Sequence, residues 1–265
     1  GMKHGWPVLF ALSVLAGFIL GTSAAPPTAA PSVSPTSLSI LAAPSTVPTY
    51  TITDLGDLGA GDSVAWAINA AGQIVGDSNF DPMSPRLRHA FLWDKGQMHD
   101  LGVLASGESR AYAINDAGQV AGEARIADDG ANNAALWQNG SVADLGDLGG
   151  WQGEAHGINA AGQAAGWSKT DSSQIHAFLW ENGSMTDLGT LGGNTGTAEA
   201  INDAGQVVGE AYLPGDRPLS HAFLWEKGQM RDLGPPGAGT SGAHGINSAG
   251  VVCGDADERA CVWEN

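Results

Sequence analysis

Basic residues are scarce in this chain. Of its 265 residues, 11 are Lys or Arg against 28 Asp or Glu, for a net charge of −17. No basic stripe exists to neutralise phosphates, which excludes nucleic acid as a partner. Long apolar runs are also missing: the longest, from Val8 to about Leu20, is too short to span a bilayer comfortably. There is no His-Glu-x-x-His, no Gly-x-Ser-x-Gly and no phosphate-binding loop, so the common zinc-protease, serine-hydrolase and nucleotide signatures are absent. Only two cysteines are present, Cys253 and Cys261.

The N-terminal part does not read as a folded domain. Met2-Lys3-His4 precedes the apolar run, and Thr22-Ser23-Ala24 supplies small residues for cleavage, so residues 1–24 are expected to be a secretory signal peptide. Residues 25–48 are rich in Pro, Ser, Thr and Ala and read as an extended tether. These features imply a secreted, periplasmic or cell-surface protein, with no membrane insertion after signal cleavage.

What remains, residues 49–265, is one phrase written five times. The phrase reads roughly small-x-Ala-x-small-Ile-Asn, then Gly-Gln, Val-x-Gly, a variable stretch, His-Ala-Phe-Leu-Trp, a turn and Asp-Leu-Gly, with the last unit missing from copy five. The Asn anchors are Asn69, Asn115, Asn159, Asn202 and Asn247, spaced 46, 44, 43 and 45 residues apart, a period typical of propeller blades. Short alternating runs separated by Gly, Asn and Asp predict four strands per copy; in copy one they are Ser63–Asn69, Gln73–Ser78, His89–Trp93 and Gln97–Gly102. The fold expected is all-β, a five-bladed β-propeller of four-stranded antiparallel blades. An Asp-Leu-Gly unit precedes copy one, whereas copy five reaches Trp263 without one. Strand Tyr50–Gly56 is therefore expected to complete the last blade and close the ring, which removes both sheet edges.

The Asp-Leu-Gly, Ile-Asn-x-x-Gly-Gln-Val-Val-Gly and His-Ala-Phe-Leu-Trp phrases resemble the HAF family of bacterial extracellular repeats over about residues 50–265. Copies two and five depart from the tripeptide, with Asn133-Ala134-Ala135 and Arg259-Ala260-Cys261. The resemblance implies a secreted or surface protein and brings no assigned reaction or ligand.

Groups repeated in every copy read as scaffold, because one group five times over does not define an asymmetric site. The Asn anchors suit Asx-turns, and the Asp of Asp-Leu-Gly suits backbone or His partners. Candidates for function are the positions that differ between copies. In the first strand these are Trp66, Tyr112, His156, Glu199 and His244, expected near the axis; His156, Glu199 and His244 form a candidate set for a transition metal. In the second strand they are Asp77, Glu123, Trp167, Glu210 and Asp255, four carboxylates whose oxygens also suit Ca²⁺ and one Trp. Trp151 and Trp167 read equally as sugar-stacking residues or as loop anchors. Cys253 and Cys261 lie on neighbouring strands of an exported domain and are expected to form a disulfide.

These readings favour a monomeric, non-enzymatic binding propeller without a required cofactor. Its ligand, a glycan or an envelope or protein partner, would sit on the face that carries the long loops. The alternatives are a surface spacer or adhesion module, and a glycan-cleaving enzyme built on Glu154 and Glu199.

Overall fold

The computed structural model describes residues 50–84, 87–105, 107–126, 131–215, 219–235 and 239–264. The signal-peptide and tether expectations lie outside them. The chain divides into two units, Gly1–Thr51 and Ile52–Asn265, and the second holds every strand among the described residues. No helix among the described residues is long and apolar enough to cross a membrane.

Five antiparallel sheets succeed one another along the chain. Blade one comprises β1 (Ser63–Ile68), β2 (Ile74–Asn79), β3 (Arg88–Asp94) and β4 (Gln97–Asp100). Blade two comprises β5 (Ser109–Ile114), β6 (Val120–Arg125), β7 (Asn132–Gln138) and β8 (Ser141–Asp144). Blade three comprises β9 (Gly149–Ile158), β10 (Ala164–Thr170), β11 (Ile175–Glu181) and β12 (Ser184–Gly189). Blade four comprises β13 (Gly196–Ile201), β14 (Val207–Tyr212), β15 (Ser220–Glu226) and β16 (Gln229–Asp232). Blade five has three strands, β17 (Ser241–Ile246), β18 (Val252–Ala256) and β19 (Arg259–Trp263).

Local chemistry explains the strand limits. Each turn between third and fourth strands places two residues at positive φ, as at Lys95 (48°) and Gly96 (88°) or Asn139 (54°) and Gly140 (74°), the two-residue turn that matches strand twist. Between first and second strands the anchor Asn caps its own turn. Asn159 Oδ1 accepts from the amides of Ala161 (3.1 Å) and Gln163 (3.0 Å).

The same Asn also joins the blades. Its Nδ2 donates to the carbonyl of the next anchor: Asn69 to Asn115 at 3.2 Å, Asn115 to Asn159 at 2.9 Å, Asn159 to Asn202 at 3.0 Å and Asn202 to Asn247 at 3.0 Å. Four apolar clusters fill the spaces between consecutive blades. Val75 and Ala90 meet Ala111 and Val120; Ala121 and Leu136 meet Ala155 and Phe178; Leu179 meets Ala198 and Phe223; Val208 and Leu224 meet Ala243 and Val252. In each case the second and third strands of one blade lie on the first strand of the next, and a fully buried Ala on that strand lets the backbones approach.

Two expectations are corrected. The segment Tyr50–Gly56 forms no strand and Ile52 is fully exposed, so in this structure it does not complete the fifth blade. The disulfide is absent and both cysteines are free. The register explains why: Cys253 lies opposite Val262, and Cys261 opposite Gly254. A one-residue offset puts the two side chains on opposite faces of the sheet.

Candidate functional site

Every first strand carries a β-bulge at the position that varies between copies. In blade one Ala65 pairs with Gly76 and Ala67 with Val75, leaving Trp66 unpaired. The same break isolates Tyr112, His156, Glu199 and His244. A bulge re-aims a side chain and deepens the local twist. It also crowds the facing strand: a Cβ on Gly76, Gly122, Gly166, Gly209 or Gly254 would lie 1.9 Å from a first-strand carbonyl oxygen. The recurrent Gly of the second strand is thus the counterpart of the bulge.

Four of the five re-aimed residues form one row across the blades. The rings of Trp66 and Tyr112 meet edge to face with centroids 6.3 Å apart, and those of Tyr112 and His156 do so at 5.5 Å. His156 Nδ1 lies 3.2 Å from Glu199 Oε2, and its Nε2 lies 3.1 Å from Glu154 Oε2. His244 stands outside the row, exposed and bonded to Asp255 of its own blade at 2.7 Å. The candidate metal set therefore does not converge, and no three His, Cys, Asp or Glu among the described residues are placed to hold a metal ion.

The second-strand carboxylates hold the row in place. Buried Asp77 accepts from Trp66 Nε1 and pairs with Arg88. Buried Glu123 accepts from the Tyr112 hydroxyl at 3.1 Å, Arg110 at 2.6 Å and Asn132 at 2.9 Å. In blade three Trp167 takes the carboxylate's place and lies opposite Glu154 in the register; Glu154 then supplies the missing charge to His156. Trp151 is apart from the row, exposed and at φ 60°. Sequence reasoning missed Arg88 and Arg110. Arg110 falls two residues before the bulge, where the copies read Val64, Arg110, Glu154, Thr197 and Gly242, so the rule of variation between copies marks it too. The repeated polar groups act as scaffold: His89 Nδ1 bonds Asp100 at 2.9 Å, and His176 and His221 bond Asp187 and Asp232 likewise. Burial opposes ionisation of Asp100, but hydrogen bonds from His89 and the Gly102 amide outweigh it and hold the carboxyl below its ordinary value.

Charge is graded along the row. Burial disfavours the His156 cation, yet hydrogen bonds and charge at Glu154 and Glu199 outweigh it and push the imidazole up to about 9. Burial, with the negative charge at Glu123 and Glu154, raises the Tyr112 phenol and keeps it neutral. His156 is therefore a cation held between two carboxylates at neutral pH. Its folded value exceeds the ordinary 6.5, so its ion pairs stabilise fully below about pH 6.5 and that stability is lost as pH rises through about 9. Urea midpoints are expected to fall between pH 7 and pH 10 in the wild type, and His156→Gln should flatten that fall. An equally steep decline in the variant would assign the loss to other groups.

No family model matches the sequence, and no curated protein does. Among solved structures, the chain is similar to the β-propeller domain of the Trilobed protease from Pyrococcus furiosus, which has an open velcro topology. The identity is 12%, the match covers 77% of this chain and 82% of that one, and the TM-score is 0.42. At that level the fold assignment stands on the five sheets themselves.

Proposed function

We propose that the chain is a non-enzymatic binding propeller, secreted or held at the cell surface, whose ligand lies along the Trp66–Tyr112–His156–Glu199 row. The observation that carries this reading is the bulge: five strands each turn a variable residue out of the ladder, and four of those residues touch in sequence. Two aromatic rings beside a run of charged hydrogen-bonding groups suit a neutral, polyhydroxylated ligand such as a glycan. The rings supply apolar area, and carboxylates and Arg110 supply acceptors and donors.

Calorimetry against a panel of extracellular glycans tests this. Tyr112→Ala and Glu199→Gln are each expected to weaken the ligand found by about tenfold, the scale of one buried aromatic or charged contact. If binding survives both changes and is abolished by Trp151→Ala, the site lies at the start of β9 instead. The second reading, a spacer or adhesion module, gains if no glycan binds.

A further inference from the structure

Four blade-to-blade interfaces repeat the same contacts, yet the two surfaces that make them are also left bare at the ends of the series. Ala65 on β1 is exposed, whereas Ala111, Ala155, Ala198 and Ala243 in the same position are fully buried. Ile68 is 66% exposed, whereas Ile114, Ile158, Ile201 and Ile246 pack against the clusters between blades. The outer face of blade five mirrors this. Cys253 and Ala260 are exposed where Val75 and Ala90 of blade one are fully buried, and Val262 is 57% exposed where Leu224 is buried.

The hydrogen-bonding groups of the missing interface are ready as well. Ser109 Oγ and Ser241 Oγ accept from the amides of Ala90 and Ala222 in the preceding blade, each at 2.9 Å; on the bare faces their counterparts are Ser63 and Ala260. Asn247, exposed at the end of the series, makes no side-chain bond to a further blade among the described residues. The segment Asp54–Gly56 already has the form of a finished Asp-Leu-Gly. The Gly56 amide donates to Asp54 at 3.0 Å, and Ser63 Oγ donates to Gly56 O at 2.9 Å, as Ser109 does to Gly102 at 2.8 Å. What it lacks is a third strand. In blades one to four that strand carries near its start His89, Asn133, His176 or His221, bonded to the Asp of Asp-Leu-Gly. Blade five offers Arg259 there, a cation for exposed Asp54.

We infer that blade five of one copy docks on β1 and Asp54–Gly56 of a second copy, so that the chain associates head to tail. The bare faces are the two halves of an interface made four times within the chain, and charge complements charge at Arg259 and Asp54. A second copy is favoured over closure within one chain because the four packed interfaces fix the blade-to-blade rotation. Close-packed interfaces of that kind do not all compress together. Such a contact is heterologous, giving rings or filaments according to whether the rotation closes. Docking would place His244 of the first copy next to Trp66 of the second and extend the ligand row across copies.

Light scattering over a concentration series of the full chain should show masses above that of one chain. Arg259→Glu should weaken association about tenfold or more, the cost of opposing like charges, and Asp54→Arg added to it should restore assembly. In a Cys253→Ala, Cys261→Ala background, mixing the single variants Ser63→Cys and Ala260→Cys should give a disulfide-linked dimer on oxidation. A monomer at all concentrations overturns the inference, whether the Ser63→Cys, Ala260→Cys double variant cross-links within one chain, which would show closure in cis, or does not cross-link at all.

Discussion

Gly209→Ala is expected to unfold blade four. The added methyl would lie 1.9 Å from the carbonyl oxygen of Thr197 and 2.8 Å from Ala198 Cα, both backbone atoms fixed by the bulge at Glu199. Ordinary overpacking costs about 1–3 kcal/mol because side chains shift aside. Here nothing on the β13 side can move without undoing the ladder, so a loss of about 3 kcal/mol or more is expected. The damage spreads, since repeat stability is a sum of unit and neighbour terms, and blade four contacts blades three and five through two of the apolar clusters. Gly228→Ala is the control. Gly228 sits at φ 80° with no atom within 4 Å of an added Cβ, so only about 1 kcal/mol of backbone strain applies. Urea unfolding of the two variants measures the contrast. A Gly209→Ala midpoint close to that of Gly228→Ala would show that the strands accommodate the methyl and that the bulge is soft.

The contrast also marks how far the sequence can be read. Strand limits in blade one are legible to within two residues because they are local: alternation sets the strand, and pairs such as Lys95-Gly96 set the turn. Positions 66, 112, 156, 199 and 244 are visible as variable, but the bulges are not, because a bulge is a relation of register between two strands. Its one trace in a single strand is the recurrent Gly of the second, which reads locally as an ordinary strand-weakening glycine. The cysteines mislead in the same way: their strands are indeed neighbours, while a one-residue offset decides the faces. Closure of the ring depends on blade-to-blade rotation, a quantity no local pattern encodes. The side-chain bridges between blades are hidden for a related reason. An Asx-turn accounts for the half of each anchor's hydrogen bonds that Oδ1 accepts. Of the half that Nδ2 donates in Asn69, Asn115, Asn159 and Asn202, one bond goes to the Gln of the same turn and the other needs a neighbour 43–46 residues away.

That second half can be tested alone. Asn159→Asp preserves shape and retains the acceptor for the amides of Ala161 and Gln163, but removes the Nδ2 donor to Gln163 Oε1 (2.6 Å) and to Asn202 O (3.0 Å). A carboxylate would then face two oxygen acceptors at a buried position. With an unsatisfied buried partner costing about 1–3 kcal/mol each, and more for a charge, a loss of about 3 kcal/mol is expected. The same substitution at Asn247 should behave differently. That residue is exposed, it caps its turn through the amides of Ala249 and Val251, and Val251 replaces the Gln that partners the other anchors. Asn247→Asp is therefore expected to cost under about 1 kcal/mol in the isolated chain. Thermal or urea unfolding at a dilution that keeps the chain monomeric measures both. Equal losses at the two sites would mean that the Asn matters only to its own turn. A large loss at Asn159 alone would establish the anchor series as the tie that sets one blade against the next, and hence the spacing of the residues that line the row.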